Sequence, residues 1–189
     1  VGYDHKFGKG RDGDENLLRS LGKDFGFTVS TVGPVTIDNK IISSTLIRNL
    51  LKDGEVEEAN KMLGYNYSLR GKVVKGDQRG RTIGFPTANL GEIHPDKLIP
   101  KNGVYAVKVN VENETFGGMM NIGYRPTFKS ENELIMEVFI FDFDKNIYNI
   151  EIEIEFLNYL RKEIKFSSVD ELVEQLNKDK ERTKKILNN

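Results

Sequence analysis

Residues 76–89 read GDQRGRTIGFPTAN, a stretch too dense in Gly, Arg and small polar residues for a plain hairpin. Glycines at 76, 80 and 84 let backbone N–H groups turn inward toward phosphate oxygens, and Arg79 and Arg81 can neutralise the charge such a loop gathers. Pro86 fixes the chain beyond, so that Thr87 and Asn89, two apart in extended backbone, point the same way. A hydroxyl and an amide carbonyl on one face suit a hard cation such as Mg²⁺, which keeps several waters and takes its remaining ligands from nucleotide phosphates. By composition alone the same cluster also describes a solvated basic loop running into a strand.

Two other phosphate-like patterns are weaker. Gly8, Gly10 and Gly13 satisfy GxGxxG but lack a strand before them and a helix after them. Gly8-Lys9 hints at a P-loop, yet Tyr3 stands where the leading glycine belongs and Gly10 where Ser or Thr belongs. Lys72, Lys75, Arg79 and Arg81 suggest nucleic-acid binding by a small barrel, but the rest of the chain offers no basic stripe.

Composition narrows the class. The 189 residues carry 28 basic and 29 acidic side chains, so no global field draws the chain to nucleic acid or an anionic membrane, and any anion site is local. There are no cysteines, which excludes a disulfide framework, thiolate metal sites and a cysteine nucleophile, and fits a reducing cytosol. No apolar run approaches the roughly 20 residues that span a bilayer, and the first residues lack the basic and apolar regions of a signal peptide. The expectation is a cytoplasmic protein with small-molecule partners, no nucleic acid and no membrane, its oligomeric state open. Residue 1 is Val, and the opening residues read like the tail of a strand, as in a fragment of a longer protein.

The elements that must position the 76–89 cluster follow from periodicity. Residues 1–15 have loop composition, and 16–22 suit a short helix. Phe27, Val29, Val32, Val35 and Ile37 suggest extended chain broken near Gly33 and Pro34. Ser43, Ser44 and Thr45 offer N-cap oxygens to a helix carrying Leu46, Ile47, Leu50 and Leu51 and ending at Gly54. A second helix carries Val56, Ala59, Met62 and Leu63 and stops at Gly64. From residue 67 the period changes to two, which sets the expected domain boundary at 66/67. Ile150, Ile152, Ile154 and Phe156 alternate with glutamates, as in a strand with one face on the core and one in water. Residues 134–143 are apolar on both faces apart from Glu137 and Asp142, and so belong in the middle of the sheet. Short strands without intervening helices predict a closed antiparallel barrel. The chain then ends in a helix opened by a Ser168/Glu171 capping box, with Val169, Leu172, Val173, Leu176, Thr183 and Ile186 as its docking stripe.

GKVVKGDQRGRTIGFPTANL, GVYAV at 103–107, NIGYRPTF at 121–128 and LRKEIKF at 160–166 resemble, in order, the signature segments of riboflavin kinases. The resemblance covers residues 67–189 and implies a mainly β fold, a six-stranded Greek-key-type barrel with a C-terminal helix. It implies ATP and riboflavin as substrates and Mg²⁺ or another divalent cation as cofactor. It gives Thr87 and Asn89 the metal; Gly76, Arg79, Gly80, Arg81, Gly84 and Tyr148 the nucleotide; and Arg161, Glu163 and Phe166 the flavin. Glu137 matches the family's general base. Its alternate neighbours Ile135, Phe139 and Phe141 would share its face and partly desolvate the carboxylate, which raises a carboxylate's pKa and improves it as a base near neutral pH. Relatives often carry histidine two residues later, where this chain has Phe139.

GYDHKFGKGRDGD and ISSTLIR resemble the C-terminal part of the FMN adenylyltransferase domain that precedes the kinase in bacterial bifunctional proteins. On that resemblance residues 1–66 are a partial α/β nucleotidyltransferase segment, and Ser43, Ser44, Thr45 and Arg48 match its ATP-phosphate site. A helix N-terminus with hydroxyls suits phosphate, although ordinary helix capping accounts for the same residues. The HxGH motif that this domain needs is absent, since the only histidines are His5 and His94. The expected activity is therefore phosphoryl transfer to riboflavin without FAD formation. The alternative is a flavin- or nucleotide-sensing module without turnover.

Overall fold

A computed structural model gives the fold and describes residues 2, 4–76, 79–125 and 133–188, the side chains of Arg79 and Arg125 excepted. The packing divides into two units, Val1–Ser43 and Ser44–Asn189.

In the first unit Asp14 accepts a hydrogen bond from the Leu17 amide at 3.1 Å and starts helix α1 (Glu15–Phe25), which ends on left-handed Gly26. Strands β1 (Thr36–Ile37) and β2 (Lys40–Ile41) form a hairpin through Asp38 and Asn39, both at positive φ, the conformation that a two-residue turn between twisted strands demands. The expected run from Phe27 to Ile37 is mostly irregular: Val32 makes one parallel bridge to Gly2, and Phe27, Val32 and Val35 are exposed. An extended segment needs a neighbouring strand to complete its hydrogen bonds; here scattered partners serve instead, with Arg19 donating to the Val29 carbonyl at 3.2 Å and the Ile42 amide to the Val35 carbonyl at 2.9 Å.

The second unit begins with helices α2 (Ser44–Asp53) and α3 (Val56–Leu63), close to their expected spans. Six strands follow: β3 (Ser68–Val74), β4 (Ala88–Gly91), β5 (Gly103–Val111), β6 (Glu114–Arg125), β7 (Glu133–Ile140) and β8 (Glu151–Arg161). They close into an antiparallel barrel in the order β3-β4-β7-β6-β5-β8. Strands β5, β6 and β7 form a meander and β8 returns beside β5, which is the Greek-key connection expected. Helix α4 (Val169–Leu187) completes the unit. Its capping box forms with one change: the Glu171 amide donates to Ser168 Oγ, but the Glu171 carboxylate takes the amide of Ser167 rather than that of Ser168. That backbone bond holds the Glu171 carboxyl below its ordinary range.

The change of period at 67 does not coincide with the break in packing. Leu51, Val56 and Ala59 join one core with Tyr67, Leu69, Tyr105, Phe156 and the other inward side chains of the barrel. Asn60 ties α3 to the barrel, donating to the Phe156 carbonyl at 2.8 Å and accepting from the Tyr67 amide at 2.7 Å. Two helices that bury one face against a barrel end belong to it by packing, whatever their own periodicity. The Glu-bearing face of β8 lies outside as expected but is tied down: Glu153 accepts from Ser68 and Arg70, and Glu155 from Asn66 and Asn110. The Arg70 guanidinium is the main cause holding the Glu153 carboxyl low.

Outside the barrel, α4 covers a second apolar layer. Phe85, Met119 and Phe141 pack with Val173, Leu176 and Leu187, and Val104, Ala106 and Leu160 pack with Ile186. Strand β7, between β4 and β6, is thus covered on both faces along part of its length, as its apolar sequence requires.

Candidate active site

The closed strand order determines what meets what. Asn89 of β4 is the Cα partner of Glu137 on β7, Glu137 of Asn121 on β6, Asn121 of Val104 on β5, and Val104 of Arg161 on β8. Directly opposed residues share a face of the sheet, so these side chains form one row across five strands on the outer surface. Thr87 precedes β4 by one residue and lies on the Asn89 side, since Ala88 between them pairs with fully buried Val138. The expected trio of Thr87, Asn89 and Glu137 is therefore together, on neighbouring strands and one face.

Two cavities meet at Thr87, which lines both. The first, of about 500 Å³, is bordered by Arg81, Pro86, Asp144, Lys145 and Tyr148. The second, of about 750 Å³, has a floor of Met119, Asn121, Glu137 and Phe139 and a wall of Arg161, Glu163, Phe166, Leu172 and Leu176. Tyr148 and Arg81 thus border one chamber, while Arg161, Glu163 and Phe166 border the other together with Glu137.

The glycine loop is shaped by close approach. A Cβ built on Gly76 would collide with the side-chain amide of Asn89, so glycine there lets the amide sit against the loop backbone. A Cβ at Gly80 would meet the Phe85 carbonyl; the Phe85 amide donates to the Gly80 carbonyl at 2.9 Å, bracketing the 3-10 turn Arg79–Ile83. Gly80 lines the second cavity rather than the first, and Gly84 at φ 80° lines neither. The side chain of Arg79 lies outside the described residues.

Arg161 is held chiefly by the protein. Its Nε and Nη2 each lie 2.8 Å from Oδ2 of Asp179, a pair whose side chains are 15% and 5% exposed. Gln175 donates to the other Asp179 oxygen at 2.9 Å, and the guanidinium lies 5.9 Å from the Phe166 ring centroid. The carboxylate of Glu163 packs on Gly123, where a Cβ would collide with it. Ser43 lies at the end of the first unit, and Ser44, Thr45 and Arg48 fall in the first turns of α2, all exposed.

Asn121, Val104, Met119, Leu172 and Leu176 line the cavity without having been expected there, and Asp179 acts on it through Arg161. Asp179 carries a sequence signal: it is an acidic residue within the stripe Leu172, Leu176, Thr183, Ile186 of α4, and a charge on a buried stripe needs a partner. Asn121 carries no such signal, because its place depends on strand register.

Oxygen donors on adjacent strands beside a glycine-shaped loop fit a hard cation, and among the described residues no cluster of three or more His, Cys, Asp or Glu offers another site. No helix of the described residues is long and apolar enough to cross a membrane.

Known proteins similar to this chain point to one family. A family model described as riboflavin kinase matches residues 63–187, and one described as FAD synthetase matches residues 1–46. The bifunctional riboflavin kinase/FMN adenylyltransferase of Listeria monocytogenes is 47% identical over 184 residues, covering 97% of this chain and 58% of the relative. That of Bacillus subtilis is 42% identical over 192 residues, covering 100% and 60%. A crystal structure described as a macrolide-efflux protein from Streptococcus pneumoniae superposes with a TM-score of 0.89 at 40% identity, over 97% of this chain and 58% of that one. The chain spans about 60% of the length of the curated relatives it matches. With a family model matched across the whole barrel and relatives this similar, the chain belongs to the riboflavin kinase family.

Proposed function

We propose that this chain transfers the γ-phosphoryl group of ATP to the 5′-hydroxyl of riboflavin, giving FMN and ADP. The observation that carries the reading is the register of Asn89 against Glu137, with Thr87 at the junction of two cavities. The nucleotide occupies the chamber bordered by Arg81 and Tyr148, and the flavin the chamber bordered by Glu137 and Phe166. Their reacting ends meet over Thr87.

Glu137 accepts the proton of the ribityl 5′-hydroxyl as its oxygen bonds to the γ-phosphorus and the bond to the β–γ bridging oxygen breaks, releasing ADP. Amides of the glycine loop donate to the phosphoryl oxygens, where charge develops. Thr87 Oγ1 and the Asn89 carbonyl would hold a divalent cation such as Mg²⁺, which when bound neutralises phosphate charge. Phe139 and Met119 keep water from the carboxylate. Phe166 stacks on or beside the isoalloxazine ring, with Arg161 and Glu163 at the same wall.

The test is incubation of the chain with riboflavin, ATP and Mg²⁺, followed by separation of FMN and ADP in equal amounts. Flavin binding without FMN would instead establish a sensor. Supplied with FMN and ATP, the chain should make no FAD, because its sequence carries no HxGH motif for the adenylyltransferase-like front segment to use.

A further inference from the structure

Resting on the riboflavin kinase reading, we infer that Asn121 is a specificity residue that hydrogen-bonds the secondary hydroxyls of the ribityl chain. The row Asn89, Glu137, Asn121, Val104, Arg161 crosses five strands in register. Strands stand about 4.8 Å apart, so Asn121 is one strand from Glu137, Val104 about 10 Å and Arg161 about 14 Å from it along the row. Polarity falls in the same order: a carboxylate, an amide, then Val104, 6% exposed, with the Arg161–Phe166 wall beyond.

That sequence of surfaces matches the substrate read from its reacting end. An extended five-carbon chain with its terminal oxygen beside Glu137 must cross the next strand before a ring can begin, so its inner hydroxyls pass over Asn121 and its ring over Val104. An amide side chain donates and accepts at once, which suits adjacent alcohols that do both. Glu137 as an anion only accepts, and Val104 does neither. Asn121 is half-buried between Met119, 3% exposed, and Gly123, which is covered by Glu163. A flavin lacking the inner hydroxyls would leave that amide desolvated without a partner, and sites built this way reject such analogues.

The experiment compares riboflavin with 7,8-dimethyl-10-(5-hydroxypentyl)isoalloxazine, which keeps the ring and the terminal alcohol and lacks the three inner ones. Both are measured as substrates and, by quenching of flavin fluorescence, as ligands. The full chain is expected to prefer riboflavin by about tenfold or more in KM and Kd. Asn121→Ala should abolish most of that preference while KM for ATP, which binds in the other chamber, stays within about twofold, and Asn121→Ser should restore part of it. Equal preference in the parent chain and Asn121→Ala overturns the inference, as does a parent chain that does not discriminate, a result that needs no folded variant. FMN formation by the parent chain with unchanged discrimination in the variant refutes Asn121 alone. Absence of flavin binding to the parent chain refutes the kinase reading and this inference together.

Discussion

Removing the Glu137 carboxylate tests the proposed chemistry at one atom. Glu137→Gln keeps the volume and the strand but cannot take a proton, and should lower kcat about 10²- to 10⁴-fold with riboflavin Kd nearly unchanged. Thr87→Ala should lower turnover comparably, because phosphoryl transfer depends on positioning as much as on the base, and raising Mg²⁺ should recover part of the Thr87 loss but none of the Glu137 loss. Coupled measurement of ADP and flavin fluorescence separates the two. Thr87 and Asn89 were legible in the sequence because a two-residue spacing after a proline is a local fact. The role proposed for Glu137 came through resemblance, with its apolar same-face neighbours in support, whereas Glu153 alternates among other glutamates and faces Arg70. Asn121 was illegible by pattern: its partners in the row lie on strands β5 and β7, and only the register of those pairings brings them beside it.

At the scale of elements, the chamber proposed for the flavin is a sheet face roofed by a helix, and one buried ion pair latches them. Asp179 of α4 holds Arg161 at the end of β8, while Leu172 and Leu176 of the same helix line the chamber. Asp179→Asn leaves the guanidinium without its counter-charge in a place where side chains are only 15% and 5% exposed. A stability loss of about 3 kcal/mol is expected by denaturant titration, with a rise in riboflavin KM as the wall moves. The double change Arg161→Met with Asp179→Leu should recover most of the stability, because apolar pairs commonly replace buried ion pairs without loss. It should not recover KM if Arg161 and Phe166 together form the flavin wall. Recovery of both would reduce the pair to scaffolding. The amphipathic stripe announced that α4 docks, but its Ser168 cap and apolar positions could not say that the docking surface also walls a cavity.

The molecule as a whole divides where packing, not periodicity, changes. Alternation beginning at residue 67 marks where strands start, yet Leu51 is 2% exposed and Val56 and Ala59 are fully buried in the barrel's own core. Asn60 bonds two barrel backbone groups, Asn158 donates to Glu57, and the Lys101 amide donates to the Leu51 carbonyl at 3.0 Å. Helical spacing in α2 and α3 showed that each had an apolar face but not which partner received it. The consequence is a test of two truncations. A chain of residues 44–189 should unfold cooperatively and keep the riboflavin kinase activity proposed for the full chain. A chain of residues 67–189 loses at least three buried side chains, each worth about 1.5–3 kcal/mol apart from the smaller Ala59, against a total stability of about 5–15 kcal/mol. It should melt far lower or fail to accumulate as soluble protein, with Tyr67 newly open to water. Burial now pushes the Tyr67 phenol up to about 12. In residues 44–189 that phenol should still resist ionisation through pH 11 by its absorbance near 295 nm, whereas in 67–189 it should titrate near the ordinary value of about 10. Equal melting of the two truncations would return the boundary to residue 67 and make α2 and α3 a passive linker.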